Sequence, residues 1–137
     1  MKYPEQIICR KLTQTPAIAR HLGFRLYPML VPSSASLPFA TYQRTGVQRD
    51  QTIGLPPGVP RVDMVLNFFA GSYSVVRELA DAARASLDHW NASLLGVTIT
   101  NVTIETETED MVDLEGGDLP PAWHVTMNLT VQWNEVE

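Results

Sequence analysis

The sequence predicts an α+β fold: an antiparallel β-sheet with one long helix packed on a face, short N-terminal helices and a C-terminal β-hairpin. Three observations predict it. From Trp123 to Asn134 every odd residue is apolar and every even one polar, the period of a strand with one buried face. Between Ser72 and Trp90, the residues Tyr73, Val76, Ala80, Ala83, Leu87 and Trp90 recur at steps of three and four, an apolar stripe along one side of a helix. Arg61–Phe69 also alternates, with Val62, Met64, Leu66 and Phe68 on one face.

The remaining elements follow in order. Pro4 suits a first helical position, and Ile7, Ile8 and Leu12 make a small apolar face. Thr15 and Pro16 read as N-cap and first residue of a second short helix, which Gly23 ends. Phe24–Tyr27 is a brief strand stopped by Pro28. Pro28, Pro32 and Pro38 with the serines at 33, 34 and 36 make 28–38 a loop. Phe39–Arg44 is a strand, and residues 46–60, rich in Pro and Gly, form an extended loop. Ser72 caps the long helix, Arg77–Asp81 and Arg84–Asp88 pair on its polar side, and His89 sits in its last turn. Val97–Glu109 is the partner of the last strand. Its apolar residues switch from odd (Val97, Ile99) to even (Val102, Ile104), which predicts a bulge near Thr100–Asn101. Residues 110–121 form an acidic hairpin turn. The whole, 1–137, reads as a single domain.

Charge is distributed unevenly. Residues 1–70 hold eight basic and three acidic side chains, residues 71–137 two basic and twelve acidic, so halves of +5 and −10 hide behind a net charge of −5. This pattern suits meeting a complementary copy or partner, or repelling an anion, and not gripping nucleic acid, which takes Lys and Arg on phosphates. The N-terminal residues lack the apolar run of a signal peptide, and no segment has the ~18 apolar residues of a membrane span. Cys9 stands alone, which points to a reducing compartment, and its place on the first helix reads as a small buried hydrophobe. Without secretion, the sequons at Asn91, Asn101 and Asn128 are chance matches.

No chemistry-bearing motif emerges. His21, His89 and His124 are dispersed without metal-ligand spacing, and neither a phosphate-binding glycine loop nor a nucleophile motif is present. No enzyme, metal site or cofactor is expected. Glu105, Glu107 and Glu109 line one face of a strand at spacing two, and Asp110 and Asp113 continue the run. A solvated hairpin tip is the ordinary reading, and the spacing of a calcium loop is absent. The other reading is a surface facing something chosen for charge, with Arg44, Arg49 and Arg61 as candidate interface basics.

One series of landmarks points further: Thr15-Pro16-Ala17-Ile18-Ala19, then Arg25-Leu26-Tyr27-Pro28, a Pro/Ser loop, then Leu37-Pro38-Phe39-Ala40-Thr41-Tyr42-Gln43, the strand Val62–Phe69, the helix opening Ser72-Tyr73-Ser74-Val75-Val76, and a last strand ending at Trp133. Over about residues 12–133 the chain resembles the tail-completion or tail-terminator family of long-tailed bacteriophages and of phage-derived particles such as gene transfer agents. The resemblance implies a structural virion protein of the tail or neck, assembled in the host cytoplasm. It implies a homo-hexameric ring that caps the tail tube, meets the tail tube protein and the head-side connector or stopper, and lets DNA pass through its lumen without specific binding. It brings no catalytic residues and no membrane contact. The acids then line the lumen, repelling DNA, or face basic residues of a neighbouring copy. A head-closure protein of the same neck, or a small acidic metal- or protein-binding module, is the alternative.

Overall fold

The computed structural model describes residues 4–23, 25–28, 37–48, 61–94, 97–112 and 122–135. In chain order these give α1 (Pro4–Gln14), α2 (Pro16–Leu22), β1 (Leu26–Pro28), β2 (Phe39–Gln48), β3 (Arg61–Ala70), α3 (Tyr73–Leu87), β4 (Ala92–Leu94), β5 (Val97–Val112) and β6 (Ala122–Glu135). The strands form one six-stranded sheet in the order β1-β2-β3-β6-β5-β4.

The α+β architecture is as the periodicities predict, with two corrections. The sheet is mixed: β1 runs parallel to β2, with Leu26 opposite Ala40, while every other neighbouring pair is antiparallel. A parallel pair takes a connection of a dozen residues or so, and the stretch between Pro28 and Phe39 supplies it. The cover is a layer of three helices, not the long helix alone. α3 packs on β3, β5 and β6, α1 on α3 and β5, and α2 on α1 and α3.

The core lies between these layers. β3 alternates without a break, and Val62, Met64, Leu66, Phe68 and Ala70 are buried. Opposite them Val125, Met127, Leu129 and Val131 of β6 are equally buried, in register with Phe68, Leu66, Met64 and Val62. From the helices come Ile7, Ile8, Leu12, Ile18, Leu22, Val76, Leu79, Ala80, Ala83 and Leu87. Removing this apolar surface from water, at about 25 cal/mol per Å², is what holds the layers together. Tyr73, assigned to the buried stripe, is 45% exposed, because it opens α3 beyond the edge of the core. α3 ends at Leu87, with Asp88 as its C-cap, so His89 lies past the helix with φ 60.

The end of α2 and the start of α3 carry their expected signals, while Thr15, at the N-cap position of α2, makes no side-chain cap and donates its hydroxyl to the Lys11 carbonyl at 2.8 Å. Pro16 occupies the first turn of α2, and Gly23 closes it at φ 57, a left-handed conformation open to glycine. Ser72 accepts a hydrogen bond from the Val75 amide at 3.3 Å.

Strand limits differ from the sequence reading. β2 continues through Gly46 to Gln48, across a bulge at Thr45 that keeps Val47 opposite Val62. β5 continues through Asp110 to Val112, because β6 supplies partners as far as Ala122. The strand therefore occupies the first part of what the composition assigns to the 46–60 loop and the 110–121 turn. The rest of both segments, with Arg49 and Asp113, lies outside the described residues.

Candidate functional site

β5 positions the acidic row, and two bulges decide where it points. The first leaves Thr100 unpaired, at the parity slip seen in the sequence. The second leaves Glu105 unpaired. This shift puts Glu107 opposite Met127 and Glu109 opposite Val125, so both acids lie on the helix-covered side with the core residues. Glu105 and Asp110 are exposed.

On that side the acids meet a base from their own chain. Arg77 of α3 donates to Glu107 Oε2 at 3.1 Å, to Asp81 Oδ1 at 2.6 Å, and to Glu109 Oε1. Arg84 lies 3.2 Å from Asp81 and 4.0 Å from Glu107. It does not use Asp88, whose Oδ1 instead accepts from the Ile104 amide at 3.4 Å. The hydrogen bonds it donates to Asp81, then to Glu107 and Glu109, hold the Arg77 guanidinium charged well above its ordinary range, against the opposing pull of desolvation. Tyr73 Oη also donates to Glu109, at 3.4 Å. The second half of the chain thus compensates part of its own acid row.

Of the candidate basic residues, Arg44 lies on the helix side of β2 and grips Glu5 of α1 through both carboxylate oxygens, at 2.7 and 2.9 Å. Arg61 opens β3 and is half-buried. Among the described residues neither meets Glu105, Glu107, Glu109 or Asp110 within one copy.

The other titratable groups are also engaged. His124 stacks on Phe69 with ring centres 4.4 Å apart, and its Nε2 lies 2.7 Å from Asn67 Oδ1 and 3.0 Å from Thr126 Oγ1. Burial lowers its pKa, and Asp110 opposes this weakly. His21 bonds Glu78 at 3.1 Å, beside Arg20. Cys9 is half-buried beside the core and not within it; burial pushes its thiol up to about 12, so it stays protonated. Among the described residues no three His, Cys, Asp or Glu side chains are grouped to hold a metal ion.

The sheet edges are the other open feature. β4 pairs with β5 only at Val97–Ile99. Next along, the Val102 carbonyl accepts from the His89 amide at 2.7 Å, and the Ile104 amide reaches Asp88. Alternation carries that outward direction to Glu107, Glu109 and Met111, and the Met111 amide donates to Oδ1 of the preceding Asp110 at 2.8 Å. On the far side, β1 covers β2 only at Ala40–Tyr42. Among the described residues no strand covers Gln43–Gln48 or Thr106–Val112 from outside. Among the described residues the large exposed apolar side chains are Val47 and Met111, one on each stretch, and Tyr73 of α3, whose hydroxyl reaches Glu109.

Sequence reasoning missed Arg77, Glu5, Val47 and Met111. Arg77 registers as half of a surface pair because Asp81 follows at i+4, and the bulge at Glu105 leaves no signal, since acids look alike on either face.

Comparison with known proteins agrees with this architecture. The chain matches the family described as "Tail completion protein gp17" over residues 6–131. Its fold is similar to a chain of a solved structure titled "Virion of native gene transfer agent (GTA) particle", with a TM-score of 0.70 and 11% identity, covering 92% of this chain and 90% of that one. No curated protein sequence matches it.

Proposed function

The chain belongs to the tail completion protein gp17 family, and from that membership we propose that it is a ring subunit that ends the tail tube and joins it to the head-side connector. Its place is the tail of a phage-type particle, and its role is structural. The family match over residues 6–131 carries this reading, and the likeness in fold to a chain of a gene transfer agent virion supports it. The ring is a homo-hexamer, meeting the tube protein on one face and the connector or stopper on the other, with DNA passing through its lumen. The chain acts as one domain.

The side chains support a structural rather than a catalytic reading. The thiol of Cys9 is held protonated, and His21 and His124 are engaged in local hydrogen bonds. The acids divide between two tasks. Glu107 and Glu109 are tied to Arg77, while Glu105 and Asp110 are exposed acids without a basic partner among the described residues, able to repel passing DNA.

Deleting the gene from a producing strain tests the reading. Unjoined heads, and tails with tubes of uneven length, are expected, with recovery when the chain is supplied separately. Joined particles of normal tube length would refute it.

A further inference from the structure

We propose that the two open strand edges pair with each other between neighbouring copies. β2 of one copy adds antiparallel to β5 of the next, closing the ring by backbone hydrogen bonds into one continuous sheet. This inference rests on the ring reading above.

The edges are complementary in place. Register links Gln43 to Val65, Asn128 and Thr106, so the open part of β2 begins in the row where the open part of β5 begins, and the two run to opposite ends of the sheet. A neighbour displaced along the strands by about six residues, roughly 20 Å at ~3.3 Å per residue, brings them together. β1 and β4 then cap the strand stretches on either side of the contact. Stagger of this kind is what a closed sheet needs.

The edges are complementary in direction. β2, β3, β6 and β5 are successively antiparallel, so β2 and β5 run in opposite senses. Rotation about a common axis keeps those senses, and the junction is antiparallel. The two edges differ, so the contact is head-to-tail, the kind that closes into a ring when the rotation between copies divides a full turn.

They are also complementary in chemistry. The Ala40 amide donates outward to the Arg25 carbonyl at 3.0 Å, and alternation across the Thr45 bulge carries that direction to Arg44 and Val47. Their side chains lie on the helix side, as do those of Glu107, Glu109 and Met111. Pairing therefore sets an arginine and an exposed valine beside carboxylates and a methionine that is 50% exposed. The segment from Phe39 to Arg49 contains no acid, and that from Glu105 to Val112 contains four acids and no base.

The test uses assembled particles carrying Val47→Cys together with Glu107→Cys, Glu109→Cys or Met111→Cys, treated with a short reagent that bridges two thiols. At least one combination is expected to give a ladder of chain multiples ending at the closed ring. Cys9 is replaced by Ser throughout, because it is only half-buried, and each single substitution on that background gives none. In parallel, Val47→Pro removes the outward amide and leaves the β3 ladder. Unchanged circular dichroism with at least a tenfold loss of incorporated chain is expected. A ring visible at the tube end without a ladder from any combination would overturn the edge pairing and leave the ring standing, and so would links only to a different protein. Absence of the chain from the tail end would overturn both.

Discussion

Replacing Arg77 with Met keeps most of the aliphatic stem and removes the charge that gathers Asp81, Glu107 and Glu109. The partners differ in worth. Asp81 and Glu109 side chains are 52% and 38% exposed, so each pair contributes at most about 0.5 kcal/mol. Glu107 is 22% exposed, and its Oε1 is buried without a hydrogen-bond partner among the described residues. Leaving that carboxylate with only Arg84, at 4.0 Å, costs about 1–2 kcal/mol. The sum is about 1–3 kcal/mol, a fall of roughly 3–10 °C in melting temperature for a domain of this size. Urea and thermal melts at pH 7 and low salt measure it. In a double-mutant cycle with Glu107→Gln, the Arg77 substitution should cost about 1 kcal/mol less than in the native background. A cost below about 0.5 kcal/mol, or one independent of Glu107, would refute the argument that this arginine anchors the acidic strand.

The folded pKa of His124 is lowered by burial, so between that value and the ordinary ~6.5 the unfolded chain binds more protons. Stability present above pH ~6.5 should therefore be lost as pH falls through the ordinary value toward the folded one, and His124→Gln should flatten that slope in urea midpoints. Identical pH profiles for both proteins would exclude His124 as the source. Cys9, pushed up to about 12, should react with a disulfide reagent at pH 8 only as the chain unfolds, with labelling that follows the urea transition. Labelling at native urea concentrations would contradict its burial. Phe68→Ala, at a fully buried position, should cost about 3–5 kcal/mol in chemical denaturation, and Ser72→Ala about 1 kcal/mol through loss of the α3 cap. Reversal of that order would mean the core is misassigned.

Much of the fold was legible where burial forces a period. β6 and β3 alternate because one face meets the helices, and the stripe on α3 follows for the same reason. The bulge at Thr100 was legible because apolar residues lie on both sides of it and register the change of parity. The bulge at Glu105 was not, since beyond it the helix-side positions of β5 are acids held by an arginine distant in sequence. The parallel partner of β2 was hidden too, as Leu26–Pro28 is too short to carry a period and its pairing is set by tertiary contact. The basic candidates were chosen by charge alone, and Arg44 proved to have Glu5 as a local partner.

The central claim is that this chain forms a closed ring at the end of the tail tube. Averaged electron microscopy of the neck in intact particles, with the chain marked by a small C-terminal tag, tests it most directly. The account predicts one ring of six copies between tube and connector, with continuous strand density crossing each subunit boundary and an open lumen. Tag density distributed along the tube, or a closed dimer at the neck, would contradict it.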